Sequence, residues 1–165
     1  MAAIAFGLTV AMMAVTGGLL IQSGEDLDAG GPILSASAEP IDTTDDPNEQ
    51  WLRIVHESGD AVDVANLSIN VTIRDHRKRA TLHGLPTEKL SQTDYTGNHL
   101  FSLGRSGVGG EATPEEGDGV WTAGETIELR IEASRVDLQS GQDVSVSVYH
   151  VTERRQLFSG TAEVV

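Results

Sequence analysis

Leu67-Ser68-Ile69-Asn70-Val71-Thr72-Ile73 puts an apolar residue at every second position and a polar one between. A strand turns successive side chains to opposite faces, so this stretch reads as a strand with one buried and one wet face. Ile127, Leu129 and Ile131 alternate in the same way within Thr126–Glu132, as do Val144, Val146 and Val148 within DVSVSVYHV. Further outward, Trp51–His56 reads as a strand followed by a turn at Glu57-Ser58-Gly59-Asp60, and Ile33–Ala38 as a short first strand. Ala80–His83, His99–Leu103 and a last strand Gln156–Val165, interrupted at Gly160, complete the set. About eight short strands, glycine-rich turns and no helix after residue 24 predict an all-β head, an antiparallel β-sandwich of immunoglobulin-like kind. Gly104–Gly119, polar and glycine-rich, is expected to be a long loop without regular structure.

The first 24 residues have a different character. MAAIAFGLTVAMMAVTGGLLIQSG contains no ionisable side chain, and as a helix it would be roughly 30 Å long, about one hydrocarbon core. Gly7, Ala11 and Ala14 recur at three- and four-residue steps, and small residues of this kind let another helix approach closely. No basic residue precedes the apolar run, and the small-residue site Ala36-Ser37-Ala38 lies well beyond it, which argues against a cleaved secretory signal. A membrane anchor and a helix within a protein bundle both fit. Glu25, Asp26 and Asp28 follow the run and no Lys or Arg occurs before Arg53, so the polar part is expected outside the cytoplasm. The chain thus divides into a hydrophobic assembly or transmembrane helix (1–24), a linker with a possible first strand (25–50) and an extracellular head (51–165).

Composition narrows the function. All 25 Asp+Glu and 11 Lys+Arg lie beyond Gly24, for a net charge of −14. Such a surface repels phosphate backbones, so nucleic acid is not an expected partner. Without cysteine there is no disulfide framework, thiolate metal site or cysteine nucleophile. Two lysines (Lys78 and Lys89) against many acids suit concentrated salt, where self-repulsion is screened, and a halophilic source is expected.

Catalytic patterns are not found. G-x-S-x-G, the P-loop and H-E-x-x-H do not occur, and Gly107-x-Gly109-x-x-Ala112 leads into Thr113-Pro114 and acids instead of a helix. His56, His76, His83, His99 and His150 show no ligand spacing, and neither Asp42-Asp45-Asp46-Glu49 nor Glu115–Gly119 has that of a calcium loop. No enzymatic activity, metal or cofactor is expected. Arg74, Arg77, Lys78 and Arg79 concentrate basic charge between two strands, as an edge-protecting hairpin turn or as a patch that meets an acidic face of another subunit or another surface. Asn66-Leu67-Ser68 and Asn70-Val71-Thr72 are candidate N-glycosylation sequons on the outward face.

An uncharged N-terminal helix, a short linker and an all-β head resemble an archaeal type IV pilin. Ile54-Val55-His56-Glu57-Ser58-Gly59-Asp60-Ala61-Val62-Asp63-Val64-Ala65-Asn66-Leu67 is similar to the H-E-S-G-D…D…L stretch of haloarchaeal pilins. Trp121-Thr122-Ala123-Gly124-Glu125-Thr126 resembles their W-x-x-G-[DE]-x lead into a strand, and Leu138–Val146 resembles their L-x-x-G-[DQ]-x-V-x-V hairpin. The S-P-V-I-G opening common in that group is missing. No basic leader stands before Met1, so the sequence is expected to begin at the mature N-terminus or downstream of the true start.

The resemblance implies a self-assembling adhesion filament, with a membrane stage and pilus assembly machinery before polymerisation. Leu8, Met12, Val15, Leu19 and Leu20 would then fill the filament core, with Gly7, Ala11 and Gly17 allowing close approach. The alternatives are a membrane-anchored extracytoplasmic β-sandwich binding domain and an archaellum filament subunit.

Overall fold

The structure, a computed structural model, describes residues 31–165. The helix expected over 1–24, with Gly7, Leu8, Ala11, Met12, Val15, Gly17, Leu19 and Leu20, lies outside the described residues. Among the described residues no helix is long and apolar enough to cross a membrane.

The described chain is all-β. Its strands are β1 (Leu34–Ala38), β2 (Gln50–Gly59), β3 (Val62–Asp63), β4 (Leu67–Ile73), β5 (Lys78–Leu82) and β6 (Tyr95–Gly97). They continue with β7 (Val108–Gly110), β8 (Val120–Trp121), β9 (Thr126–Ile131), β10 (Asp143–His150) and β11 (Arg155–Glu163). One antiparallel sheet runs β1-β2-β9-β7, the other β11-β10-β4-β5-β6, and β3 pairs with β8 as a short ribbon.

The alternation read from the sequence sets which face is buried. Ile69, Val71 and Ile73 of β4, Val144, Val146 and Val148 of β10, and Ile127, Leu129 and Ile131 of β9 are all at or near zero exposure. With Leu52, Ile54, Phe101 and Trp121 they form one continuous core to which both larger sheets contribute. A one-residue slip in any of these strands would turn its whole apolar set to water, so the pattern fixes the register.

Ile33–Ala38 was expected as a strand, and β1 is the edge strand beside β2. Beyond it the chain changes partner: Glu39 N–H donates to Arg53 O, Ile41 N–H to Glu163 O, and Ile41 bridges Val164 in parallel. The segment after Ile33 therefore joins the edges of the two sheets, with Ile41 fully buried between them.

Several boundaries differ from expectation. Glu57-Ser58-Gly59 is not a turn but the end of β2, because Ser58 and Gly59 still pair with Ser35 and Leu34. β11 is not interrupted at Gly160: the Phe158 ring lies over the space a side chain there would fill, covering the gap in the inward row. His99–Leu103 is not a strand but a single bridge at Phe101, since Leu100, Phe101 and Ser102 are buried in succession and cannot alternate. Pairing shifts instead to β6. The Leu138–Val146 stretch is not a hairpin; β9 and β10 belong to different sheets, and it carries the chain between them.

The largest difference is Gly104–Gly119. It carries a 3₁₀ turn (Arg105–Gly107), the edge strand β7 and a buried run Glu111-Ala112-Thr113. Glycine permits this close packing, since a Cβ on Gly107 would collide with the Ser102 carbonyl and one on Gly110 with that of Thr126.

Candidate functional site

Many outward residues of the five-stranded sheet are small and polar. β10 contributes Ser145 and Ser147, β11 Ser159 and Thr161, β4 Ser68, Asn70 and Thr72, and β5 Thr81. Strand pairing sets them in rows, with Ser147 opposite Ser159 on one side and Asn70 on the other, and Ser145 between Thr161 and Thr72. Because small side chains stand low on a twisted sheet, the face is concave. It holds an open trough of about 490 Å³ lined by Asn70, Thr72, Arg74, Arg79, Ser145, Ser147, Tyr149, Ser159, Gly160 and Thr161. Tyr149 stands at one end, 39% exposed, and the two arginines toward the other.

Its hydrogen bonds are lateral. Asn70 Nδ2 donates to Thr81 Oγ1 at 2.9 Å, Thr72 Oγ1 to Asn70 Oδ1 at 3.2 Å, and Arg79 Nε to Thr72 Oγ1 at 3.2 Å. Ser147 and Ser159 share a bond of 3.2 Å. Among the described residues no carboxylate lines the trough, but a smaller hollow of about 210 Å³ continues past Arg74 to Asp75 and Asp143.

The basic cluster does form a hairpin turn, between β4 and β5, with Arg77 in the left-handed region at φ 51°. Lys78 Nζ is held by the Arg135 carbonyl. The ion pairs among the described residues are Arg53–Glu128 (2.8 Å) and Arg105–Glu115 (3.1 Å). Arg74, Arg77, Lys78 and Arg79 therefore pair with no acid among the described residues.

The two sequons separate. Asn70 is in mid-strand on the trough floor with its amide bonded on both sides. Asn66 ends the 3₁₀ turn Val64–Asn66 rather than lying on β4, and its carbonyl receives Val151 N–H. Both asparagines are half-buried.

The histidines do not assemble either. His56 is wholly buried, His76 contacts Gln142, and His150 Nδ1 accepts the Glu153 N–H. Among the described residues no three His, Asp or Glu side chains come together as a metal ion would need.

A second polar cluster closes the end of the head at which residue 31 arrives, where Gly31 lies against Glu153 and Arg155. Here the two stretches His56–Asp60 and Trp121–Glu125 interlock. His56 N–H and the Trp121 indole N–H both donate to Glu125 O, at 2.9 and 3.0 Å, and Gly124 N–H donates to His56 O at 2.7 Å. His56 Nε2 donates to Asp60 O at 2.9 Å, and Asp60 Oδ2 receives Ile33 N–H. Close by in the chain, Glu111 is buried with Oε2 unpartnered. Burial first, then the neighbouring Glu125 and Asp118 charges, push its carboxyl above the usual range.

The serine and threonine rows were not recognised from the sequence as a surface. The signal was the VSVSV alternation itself, whose polar residues are hydroxyls, but only strand order shows that β11, β10, β4 and β5 are neighbours. Comparison with protein-family models, with curated proteins and with solved structures found no match to this chain.

Proposed function

We propose that this chain is a pilin, the structural subunit of an extracellular archaeal type IV pilus. The carrying observation is that two of the three stretches that resemble haloarchaeal pilins, His56–Asp60 and Trp121–Glu125, form one interlocked cluster where the chain arrives from its apolar segment. Motifs 61 residues or more apart that share hydrogen bonds are one structural device, which makes their joint occurrence more telling than either alone. The head is read as a β-sandwich of immunoglobulin-like kind, with its two sheets on a common core.

Residues 1–24 form the assembly helix in this reading, seated in the membrane before polymerisation and bundled with other copies afterwards. Burying its apolar side chains at roughly 25 cal/mol per Å² gives a large cumulative stabilisation. Copies related by a non-closing rotation build an open helical fibre. The acidic heads form the outer sheath, hydrated in brine, and adhesion is the work of the finished filament.

Negative-stain microscopy of material sheared from the cell surface tests the reading. Filaments containing this chain are expected, and Val15→Asp should abolish them while leaving the head folded. Normal filaments from that variant would refute the model. The trough favours a second reading, a membrane-anchored binding domain that never polymerises. An archaellum filament is separated from a pilus by the swimming of a deletion strain.

A further inference from the structure

We infer that the trough on the five-stranded sheet is a binding site for a short oligosaccharide carrying a carboxylate, such as a uronic-acid-containing glycan. The lining has the donor and acceptor groups that such a ligand needs. Hydroxyls of Ser145, Ser147, Ser159 and Thr161 offer donors and acceptors to sugar hydroxyls. Tyr149 at the end presents an exposed aromatic surface, with an apolar body and a polar tip. The trough crosses β11, β10, β4 and β5, roughly 14 Å at ~4.8 Å per strand, which is long enough for more than one sugar ring.

The charge picks out the acidic member of this class. In a protein of net charge −14, the trough is lined by two arginines and, among the described residues, by no carboxylate. Arg79 is oriented by its Nε bond to Thr72, and neither Arg79 nor Arg74 has an ion-pair partner among the described residues. A planar guanidinium binds carboxylate through paired N–H donors, a short-range geometry that survives salt better than long-range attraction. Asp75 and Asp143 bound the far side of Arg74 and turn a ligand carboxylate back toward Arg79. The overall negative field disfavours a polyanion, so the ligand is a mainly neutral glycan with sparse carboxylates.

A second copy of the chain is the competing occupant. Protein interface cores are poor in serine, whereas half of this lining is serine and threonine. The site needs no polymerisation, since one subunit carries it whole.

The test uses the full chain in detergent, produced in a host that does not N-glycosylate because a glycan on Asn70 would fill the trough. Cellobiouronic acid and cellobiose form a matched pair differing in one carboxylate, and inorganic sulfate serves as the anion alone. Backbone amide shifts are followed during titration. Cellobiouronic acid should bind at least about tenfold tighter than cellobiose, the worth of one charge-assisted contact. The shifts should centre on Ser145, Ser147 and Thr161. Arg74→Ser with Arg79→Ser should bring the two sugars to equal affinity, and Ser147→Val should weaken both together.

The inference is overturned if both sugars bind equally to the unaltered protein, if shifts centre elsewhere, or if the arginine variant keeps the tenfold preference. Sulfate displacing the acid sugar completely at equal concentration would show an anion site only. Dilution producing the same amide shifts without sugar would give the face to a second copy and likewise overturn it. Since unaltered protein alone can give most of these outcomes, a misfolded variant would not rescue the idea.

Discussion

The imidazole of His56 meets the indole of Trp121 edge-on, with ring centroids 5.1 Å apart and planes at 81°. Both rings are wholly buried, and both residues donate to the same Glu125 carbonyl, His56 through its backbone and Trp121 through Nε1. His56 Nε2 donates to Asp60 O, and Nδ1 is buried with no hydrogen-bond partner among the described residues. The pair thus joins the end of β2 to the β8–β9 turn through aromatic packing and shared hydrogen bonds.

Trp121→Ala should be the most damaging change at this end, costing about 3–5 kcal/mol through lost burial and the cavity left behind. Trp121→Phe keeps the ring contact but loses the indole donor, for about 1 kcal/mol. Denaturant unfolding of both variants checks the ordering; a phenylalanine variant as unstable as the alanine one would place the importance in the hydrogen bond.

Gly59 and Gly141 both have positive φ, 104° and 89°, but different surroundings. A Cβ on Gly59 would collide with the Ile33 carbonyl oxygen and Leu34, whereas nothing lies within 4 Å of one on Gly141. Gly141→Ala should cost about 1 kcal/mol of backbone strain, and Gly59→Ala more, about 3 kcal/mol, because β1 must also move. Thermal unfolding measures the difference, and equal losses would mean that strain alone decides.

Gln50 is fully buried, and its amide supports three backbone groups. Nε2 donates to Val136 O at 2.8 Å and to Ile131 O at 3.3 Å, while Oε1 receives Leu138 N–H at 2.7 Å. Gln50→Leu is apolar and similar in size, yet it should cost about 2–4 kcal/mol by leaving buried backbone groups unpaired. An unfolding midpoint unchanged from the parent would contradict this.

Glu111 makes stability depend on pH in the sense opposite to a salt-bridged acid. Its carboxyl titrates above the ordinary value because of burial and then the Glu125 and Asp118 charges, offset partly by the Gly119 and Asp118 N–H groups. Between the ordinary and the raised value the folded form holds more proton than the unfolded, so stability falls as pH rises through that window. Glu111→Gln should remove the fall and stabilise the protein at neutral pH. Unfolding profiles of parent and variant should converge in acid and separate above the raised value; parallel profiles would remove Glu111 as the source.

The alternating strands were legible because their period states both conformation and buried face. β4 matches Leu67–Ile73 to the residue, and β9 and β10 lie where Ile127–Ile131 and Val144–Val148 alternate. Glycine was the weaker guide. Gly160, Gly107 and Gly110 read as breaks, yet in the structure Gly160 admits Phe158 and the other two close backbone contacts. A missing side chain signals a turn or a tight contact equally well, and only the neighbour decides which.

The sequence by itself determined that the described region is β-structured, which residues of its strands face the core, and that all the chain's charge lies after residue 24, because alternation and charge are local to the chain. Only the tertiary structure decided which strands are neighbours. That order brings His56 to Trp121 and sets Ser147 between Ser159 and Asn70. It also leaves Arg74 and Arg79 beside a row of hydroxyls, with no acid pairing them among the described residues. Pairing over such separations depends on how buried faces from distant segments fit one core, and no period in the sequence records that fit.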